Sequence, residues 1–346
     1  MAGKATISKA GNGDLKISVI VPVYNEEGYI SNTLDALLAQ KYKNYEIIVV
    51  NDASKDNTAD VLGKYEGVPE IKVINKVKNG GQAKAINTGL DFASGEIIAR
   101  IDGDSIAPPD WLEKINANFK KDNILAVGGW LDSSSDSSYW ALANSLKDAI
   151  FNGFLKKRVT PNILPGANTA ILASVFRQIG GYPEKDSYYS EDFQLYLKLS
   201  KLGKVVKDDS LRIETYYPEK LRGSLKRKFY WGVAGADVYR AGRTPKFYLR
   251  PLYYSTMIAL TIAMFVSYIV LPSALWVFSL LLALQVLPMT LGLFLLAIAY
   301  VIKERGRRYV KVLPTALFYP FLLEFVYFIG LVSGLRGRKV KVWRSD

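Results

Sequence analysis

The chain has 346 residues and a formal net charge of +13, with no cysteine and no histidine. At roughly 150 residues per domain this length predicts two units. The two absent residue types exclude structural zinc, disulfide staples and Cys-His or Ser-His nucleophilic catalysis, so a general base here is a carboxylate, Lys or Tyr. The charge is unevenly placed: residues 219–250 carry a net +7, 303–311 a net +4 and 336–344 a net +5, which leaves −3 for everything else. The basic excess lies beside apolar segments, a pattern that points to anionic lipid head groups and not to nucleic acid.

Residues 1–15 are polar and Gly-rich, read as a frayed tail without a signal peptide. From Lys16 to Leu211 short β-rich runs alternate with helical stretches. The strands expected are Ile17–Val23, Glu46–Asn51, Ile71–Asn75, Glu96–Ile101 and Ile124–Leu131. The helices expected are Glu26–Gln40, Asn57–Tyr65, Gly81–Phe92, Pro109–Phe119, Tyr139–Leu155 and Glu191–Lys201. Such alternation predicts an α/β fold, a doubly wound and mostly parallel sheet with helices on both faces.

After Tyr216 the character changes. Leu221, Leu225, Phe229, Val233 and Ala236 form an apolar stripe at helical spacing among Lys220, Arg222, Lys226, Arg227 and Lys228. Over 217–250 this reads as a basic amphipathic helix in a membrane interface, or else as an ordinary surface helix. Residues 251–302 hold no charged side chain. At 1.5 Å per residue they reach about 78 Å, enough to cross a hydrocarbon core twice, over 251–271 and 274–302, turning near Leu271-Pro272-Ser273. A third apolar stretch, Val312–Leu335, contains Pro314, Pro320 and Glu324 between two basic flanks. It is expected either to span or to dip in and return. Residues 251–346 are thus expected to form a membrane domain at the cell membrane, leaving residues 16–216 on the cytoplasmic side.

Three strand ends and two helix starts carry the chemistry. Ile97–Ile101 stops at Asp102-Gly103-Asp104, where two carboxylates one glycine apart suit Mg²⁺ or Mn²⁺, or make a polar turn. Ile17–Val23 runs through Pro22 into Tyr24-Asn25-Glu26-Glu27, with Tyr24 available to stack on a base and Glu26 to accept hydrogen bonds. After Val50 comes Asn51-Asp52-Ala53-Ser54-Lys55-Asp56, in which Asp52 either accepts from a base or ribose or forms an Asx-turn. Gly80-Gly81-Gln82-Ala83-Lys84 opens a helix where backbone can approach a diphosphate, with Lys84 on its first turn. Farther on, Ser190-Glu191-Asp192 opens a helix whose acids either favour its N-terminus or perform proton transfer.

Taken in order, with Pro165-Gly166-Ala167-Asn168-Thr169-Ala170 and Ser190-Glu191-Asp192 following, these motifs resemble the family 2 glycosyltransferases of GT-A fold, from Lys16 to about Trp231, which implies a doubly wound mixed sheet. The resemblance implies donor binding by Pro22, Tyr24, Glu26, Asp52, Lys84, Asp102 and Gly103, with a UDP- or GDP-linked sugar as donor. It implies Mn²⁺ or Mg²⁺ held by Asp102 and Asp104, and Asp192 as catalytic base beside Glu191. Gly166, Asn168, Arg227 and Trp231 fall on the acceptor and diphosphate side. Position on a helix N-terminus leads us to expect a lowered Asp192 pKa. Where processive members carry Gln-x-x-Arg-Trp, the Gln position here is Ser224, which argues against polymer synthesis. The Glu-Asp pair favours an acceptor hydroxyl on a membrane lipid or lipid-linked glycan. Alternatives are a polyprenyl (dolichyl) phosphate glycosyl synthase, a processive polysaccharide synthase and a non-catalytic nucleotide-sugar binding membrane protein.

Overall fold

The computed structural model describes residues 13–134, 138–150, 164–184, 191–240, a scatter of residues between 256 and 302, 307–317 and 319–337. The chain divides into two compact units, one of Met1–Ser135, Thr160–Tyr216 and Lys341–Asp346, the other of Asp136–Val159 and Tyr217–Val340. In chain order the elements are β1 (Ile17–Val23), α1 (Ile30–Leu38), β2 (Tyr45–Asn51), α2 (Thr58–Gly63), β3 (Ile71–Asn75), α3 (Gln82–Phe92), β4 (Ile97–Ile101), β5 (Ser105–Ile106), α4 (Trp111–Phe119) and β6 (Ile124–Ser133). There follow α5 (Tyr139–Ile150), β7 (Asn168–Leu172), α6 (Ala173–Gln178), α7 (Glu191–Leu202), β8 (Lys204–Thr215), α8 (Leu221–Arg240), a 3-10 segment (Arg307–Leu317) and α9 (Tyr319–Leu335).

The first unit is one eight-stranded sheet in the order β3-β2-β1-β4-β7-β6-β8-β5. Strands β3, β2, β1 and β4 run parallel. β7 then runs antiparallel to both β4 and β6, while β8 is parallel to β6 and antiparallel to β5. The sheet is therefore mixed, as the resemblance implies, where the alternation alone suggests a mostly parallel one. The reason lies in two strands that the sequence conceals. β7 is only five residues long, and β8 carries Asp208-Asp209-Ser210, a turn-like triplet, in its middle.

Alternation along the inner strands sorts side chains onto two cores. Ile17, Val19, Val21 and Val23 of β1 join Leu34 of α1, Leu62 of α2 and Trp111 of α4 on one face. Ile20 of β1 and Ile98 of β4 join Ile86 of α3, Phe176 of α6 and Leu199 of α7 on the other. Gly89 makes the second layer close, because a Cβ there would lie 2.6 Å from the Ile20 methyl.

Predicted helix starts shift where backbone donors have other partners. Glu26–Gln40 becomes α1 from Ile30, because Asn25 N–H donates to Ser54 Oγ (3.0 Å), Glu26 N–H to Thr58 Oγ1 (2.8 Å) and Glu27 N–H to Asp56 (3.2 Å). The predicted stretch beyond Ile150, to Leu155, lies outside the described residues, as does Ser190.

In the second unit the stripe on α8 is covered by protein. Leu221 and Leu225 pack on a core of Leu142, Leu146, Tyr309, Val312, Tyr319 and Leu323. Farther along, Ala236 meets Tyr327 and Leu331 of α9. Gly232 and Gly330 set the approach: a Cβ on either would collide with backbone of the facing helix. The predicted Val312–Leu335 segment is broken, its first part forming a 3-10 run around Pro314 and its second α9, which opens at Tyr319-Pro320. At 17 residues α9 measures about 26 Å. Among the described residues no helix is long and apolar enough to cross a membrane. The expected spans 251–271 and 274–302 fall mostly outside the described residues. Within them Tyr268, Ile269, Val270, Trp276, Leu284 and Leu295 are exposed.

Candidate active site

The parallel strands meet the first antiparallel one where β4 pairs with β7, with Ile101 opposite Asn168. Beyond the carboxyl end of β4 the chain turns at Asp102–Asp104, and Ser105 N–H donates to the Asp102 carbonyl at 3.1 Å. β5 then pairs with β8, and Tyr216 N–H donates to the Asp104 carbonyl at 3.0 Å. The acidic turn is thus pinned on both sides. Asp104 is buried, and its Oδ1 accepts from Ser105 Oγ at 3.3 Å. Asp102 keeps 21% of its side chain exposed. Its Oδ1 accepts from Gln82 Nε2 (3.0 Å) and from Arg100 Nε and Nη2 (3.2 and 3.1 Å).

Arg100 is the hub. It stands on β4 two residues before Asp102, within the layer otherwise formed by Ile98, Ile86 and Leu199. Burial alone lowers a guanidinium pKa, but the charges of Asp102 and Asp192 outweigh it and hold Arg100 well above its ordinary value. Its Nη1 donates to Asp192 Oδ1 at 3.1 Å, and its Cζ lies 5.1 Å from the centroid of the Tyr182 ring. One side chain therefore ties the acidic turn to the first turn of α7.

Asp192 is fixed from the other side by Gly166, whose N–H donates to Oδ2 at 3.1 Å. A Cβ on Gly166 would stand 2.5 Å from both Asp192 oxygens and 2.6 Å from Arg100 Nη1. The protein packed around Asp192 raises its pKa, with Arg100 pulling the other way. This reverses the lowering expected from a helix N-terminus: desolvation outweighs the dipole. Glu191, beside it and buried, is pushed up to about 7, first by burial and then by the Asp192 charge.

The remaining strand ends build the neighbouring wall. Asp52, fully buried, holds Lys76 and accepts from Gly80 N–H (3.0 Å) and Gly81 N–H (2.7 Å), so its carboxylate shapes the glycine turn before α3. Asn25 (φ 56°) and Ala53 (φ 60°) occupy the left-handed region just beyond β1 and β2. Asn25 Oδ1 accepts from Lys55 N–H at 2.8 Å, joining the two loops. Backbone strain of this kind clusters at ligand sites. Pro22, Tyr24, Glu26 and Gly103 are buried in this wall, and Lys84 is exposed on the first turn of α3.

Asn168 is committed to the fold. Its amide donates to the carbonyls of Trp130 and Leu211 (3.0 Å each) and accepts from Trp111 Nε1 (3.0 Å). Arg227 and Trp231 belong to the second unit, where the guanidinium carbon lies 4.8 Å from the Trp231 ring centroid and 5.5 Å from that of Tyr217. Sequence reasoning missed Arg100, Gln82 and Lys76. The signal for Arg100 was present: a lone charge in an apolar strand needs partners, and residues i and i+2 share a face.

The donor set fits a divalent cation. Asp102 and Asp104 offer hard oxygens only, and the chain has no histidine or cysteine to divert the site toward a softer metal. Among the described residues no three acidic side chains converge on one point, so the other ligands would be water and donor phosphate.

Residues 18–180 match the sequence model of glycosyl transferase family 2. This stretch, just under half of the chain, is similar to the family 2 glycosyltransferases. The mixed α/β sheet that holds it is GT-A-like. A mannosyltransferase from Pyrobaculum calidifontis, solved in complex with GDP-Man and Mn²⁺, matches with a TM-score of 0.57 at 20% identity, over 95% of this chain and 90% of that one. An uncharacterized glycosyltransferase of Haemophilus influenzae is 32% identical over 196 residues, 54% of this chain and 61% of that protein. A poly-β-1,6-N-acetyl-D-glucosamine synthase of Staphylococcus aureus is 31% identical over 255 residues, 70% of this chain and 61% of that protein. The chain thus spans about three fifths of the length of these curated relatives.

Proposed function

We propose that this chain is a metal-dependent, inverting glycosyltransferase. It moves a sugar from a nucleotide-diphosphate sugar to a hydroxyl of a membrane lipid or lipid-linked glycan. The observation that carries this reading is the Arg100 guanidinium, which bridges Asp102 of the acidic turn and Asp192 at about 3.1 Å each. A group able to take a proton and a group able to face a donor phosphate are thereby held one side chain apart.

Asp192 accepts the proton of the acceptor hydroxyl as that oxygen attacks the anomeric carbon. The bond from this carbon to the diphosphate oxygen breaks, and its electron pair leaves with the nucleoside diphosphate. Mg²⁺ or Mn²⁺ held by Asp102 and Asp104 would supply neutralisation of the charge on that leaving group. Arg100 and Gly166 N–H orient Asp192, while Glu191 holds a proton below about pH 7 and spares Asp192 a second negative neighbour. GDP-Man and Mn²⁺ in the Pyrobaculum structure support the donor class and the metal.

The test uses the full chain in detergent with Mn²⁺ or Mg²⁺ and a panel of UDP- and GDP-sugars. We expect release of nucleoside diphosphate, lost in Asp104→Ala and Asp192→Asn. Donor binding without release would leave a non-catalytic binding protein. The similarity to a Staphylococcus polymer synthase favours a second reading, processive synthesis. Product length decides: a single added sugar supports the first reading, a ladder of lengthening products the second.

A further inference from the structure

Arg100 is buried, and its hydrogen bonds run to two carboxylates: Nε and Nη2 donate to Asp102, Nη1 to Asp192. Its guanidinium carbon lies over the ring of Tyr182, 5.1 Å from the centroid. Burial pushes the Tyr182 hydroxyl up, so the ring meets the cation as a neutral aromatic face. The quadrupole of such a face attracts a cation, and more strongly where water is excluded. The ring is itself held in place. After α6 the chain reverses through Gly180 (φ 73°) and Gly181 (φ 68°), left-handed positions that glycine adopts without strain. Gly180 N–H donates to the Arg177 carbonyl (3.0 Å) and Gly181 N–H to that of Phe176 (2.9 Å), which closes the helix end. Asn87 of α3 then grips the backbone of Tyr182 on both sides. Its Oδ1 accepts from Tyr182 N–H at 2.8 Å, and its Nδ2 donates to the Tyr182 carbonyl at 3.0 Å. A Cβ on Gly181 would collide with that Oδ1. Phe176 meets the Tyr182 ring edge-on, with centroids 5.6 Å apart.

We infer that Tyr182 is a positioning residue for the transfer: its ring face keeps Arg100 turned so that Nη1 reaches Asp192 while Nε and Nη2 stay on Asp102. The inference rests on the roles given above to Arg100 and Asp192. Its consequence is asymmetric. If Arg100 loses its seat, Asp102 keeps the hydrogen bond from Gln82 Nε2, on the side that faces the donor. Asp192 keeps only the Gly166 N–H among the described residues. The proton acceptor therefore loses its orientation before the donor loses its contacts. Misplacement of an acceptor by a fraction of an ångström slows the chemical step without weakening donor binding. The Asn87 clamp explains why a turn so far along the chain serves this end: it fixes the ring to α3, the helix whose first residue is Gln82.

The test compares Tyr182→Phe and Tyr182→Leu in the full chain in detergent. Release of GDP from GDP-mannose and of UDP from UDP-N-acetylglucosamine is followed with Mn²⁺. We expect Tyr182→Phe to keep kcat within about threefold of wild type, because the ring face survives. Tyr182→Leu should lose about tenfold or more in kcat with donor KM within about twofold. A second measurement needs no turnover: hydrogen exchange at Arg100 Nε–H in the arginine-labelled chain, its signal identified by loss in Arg100→Lys. Exchange should be slow in wild type and Tyr182→Phe, and about tenfold faster in Tyr182→Leu. Undiminished kcat in Tyr182→Leu overturns the inference. So does a loss in Tyr182→Phe equal to that in Tyr182→Leu, which would assign the effect to the hydroxyl. A rise in donor KM that matches the fall in kcat makes Tyr182 a merely structural residue and overturns it as well. If Tyr182→Leu fails to fold, phenylalanines carrying one, two and three ring fluorines replace it at position 182. They keep the shape of the ring and drain negative charge from its face, so kcat should fall stepwise, and a flat series overturns the inference. Absence of nucleotide release by wild type sinks the function proposed above, whereas fast exchange at Arg100 in an active wild type sinks this inference alone.

Discussion

Gly166 is the residue on which the geometry of Asp192 turns. Its φ lies outside the left-handed region, so alanine is tolerated by the backbone, yet the new methyl would press on both Asp192 oxygens and on Arg100. Those are the ends of side chains, and they move before the sheet does. We predict that Gly166→Ala folds with an unchanged circular dichroism spectrum and loses about 100-fold or more in kcat, with donor KM little altered. A change in KM alone would mean that Gly166 serves the donor and not the base. Glu191 gives the pH counterpart. Its pKa rises from an unfolded value near 4.5 to about 7 in the fold, because burial and the Asp192 charge favour the protonated form. A raised carboxyl contributes its full stability below pH 4.5 and loses it as pH climbs through 7. Glu191→Gln should therefore match wild type at pH 4.5 and exceed it increasingly to pH 7. The difference then levels off on the order of 3 kcal/mol, read from denaturant melts across that window. A gap that stays constant with pH would show that the group does not titrate there.

At the scale of elements, the most extensive packing among the described residues of the second unit is between α8 and α9. Gly232 faces the Tyr327 carbonyl and Gly330 faces that of Phe229, with no room for a Cβ on either side. Backbone cannot yield as a side chain does. Gly232→Val is expected to force the helices apart, costing about 1–3 kcal/mol or more and lowering Tm in detergent. An unchanged Tm would mean that the helices are not in contact in solution. The same elements show what sequence could and could not tell. β1 and β3 were legible to the residue, being β-branched runs bounded by turn formers. β8 was hidden because only Leu211 and Ile213 of its twelve residues are buried, so charge and serine are tolerated mid-strand. The start of α1 was misplaced because three backbone N–H groups go to another loop, a long-range choice that no local pattern encodes. The acids at strand ends were visible as motifs, but Arg100, which joins them, becomes meaningful only once β4 and α7 are neighbours.

For the whole molecule, the arrangement of charge poses the remaining question. Net charge is +13, yet everything outside three short basic stretches sums to −3, and the uncharged residues 251–302 lie between two of those stretches. Electrostatic attraction to an anionic surface is screened within about 10 Å at 0.1 M salt and less far at higher salt, whereas hydrocarbon burial does not respond to salt in this way. The two contributions separate on washing. A chain held by basic patches alone leaves membranes in 1 M salt. A chain that passes through the hydrocarbon core stays through both salt and alkaline carbonate, and leaves only with detergent. We predict the second behaviour for the full chain, and release by salt for a variant in which 251–302 is replaced by a polar linker. The stretch 303–346 would then still supply basic attraction, so low-salt binding should survive in that variant while wash resistance is lost. Complete release of the intact chain by high salt would refute the spanning segments and leave a surface-bound enzyme. Its acceptor would then have to rise to the protein, because an apolar chain drawn fully from the bilayer costs about 0.8 kcal/mol for each exposed CH₂.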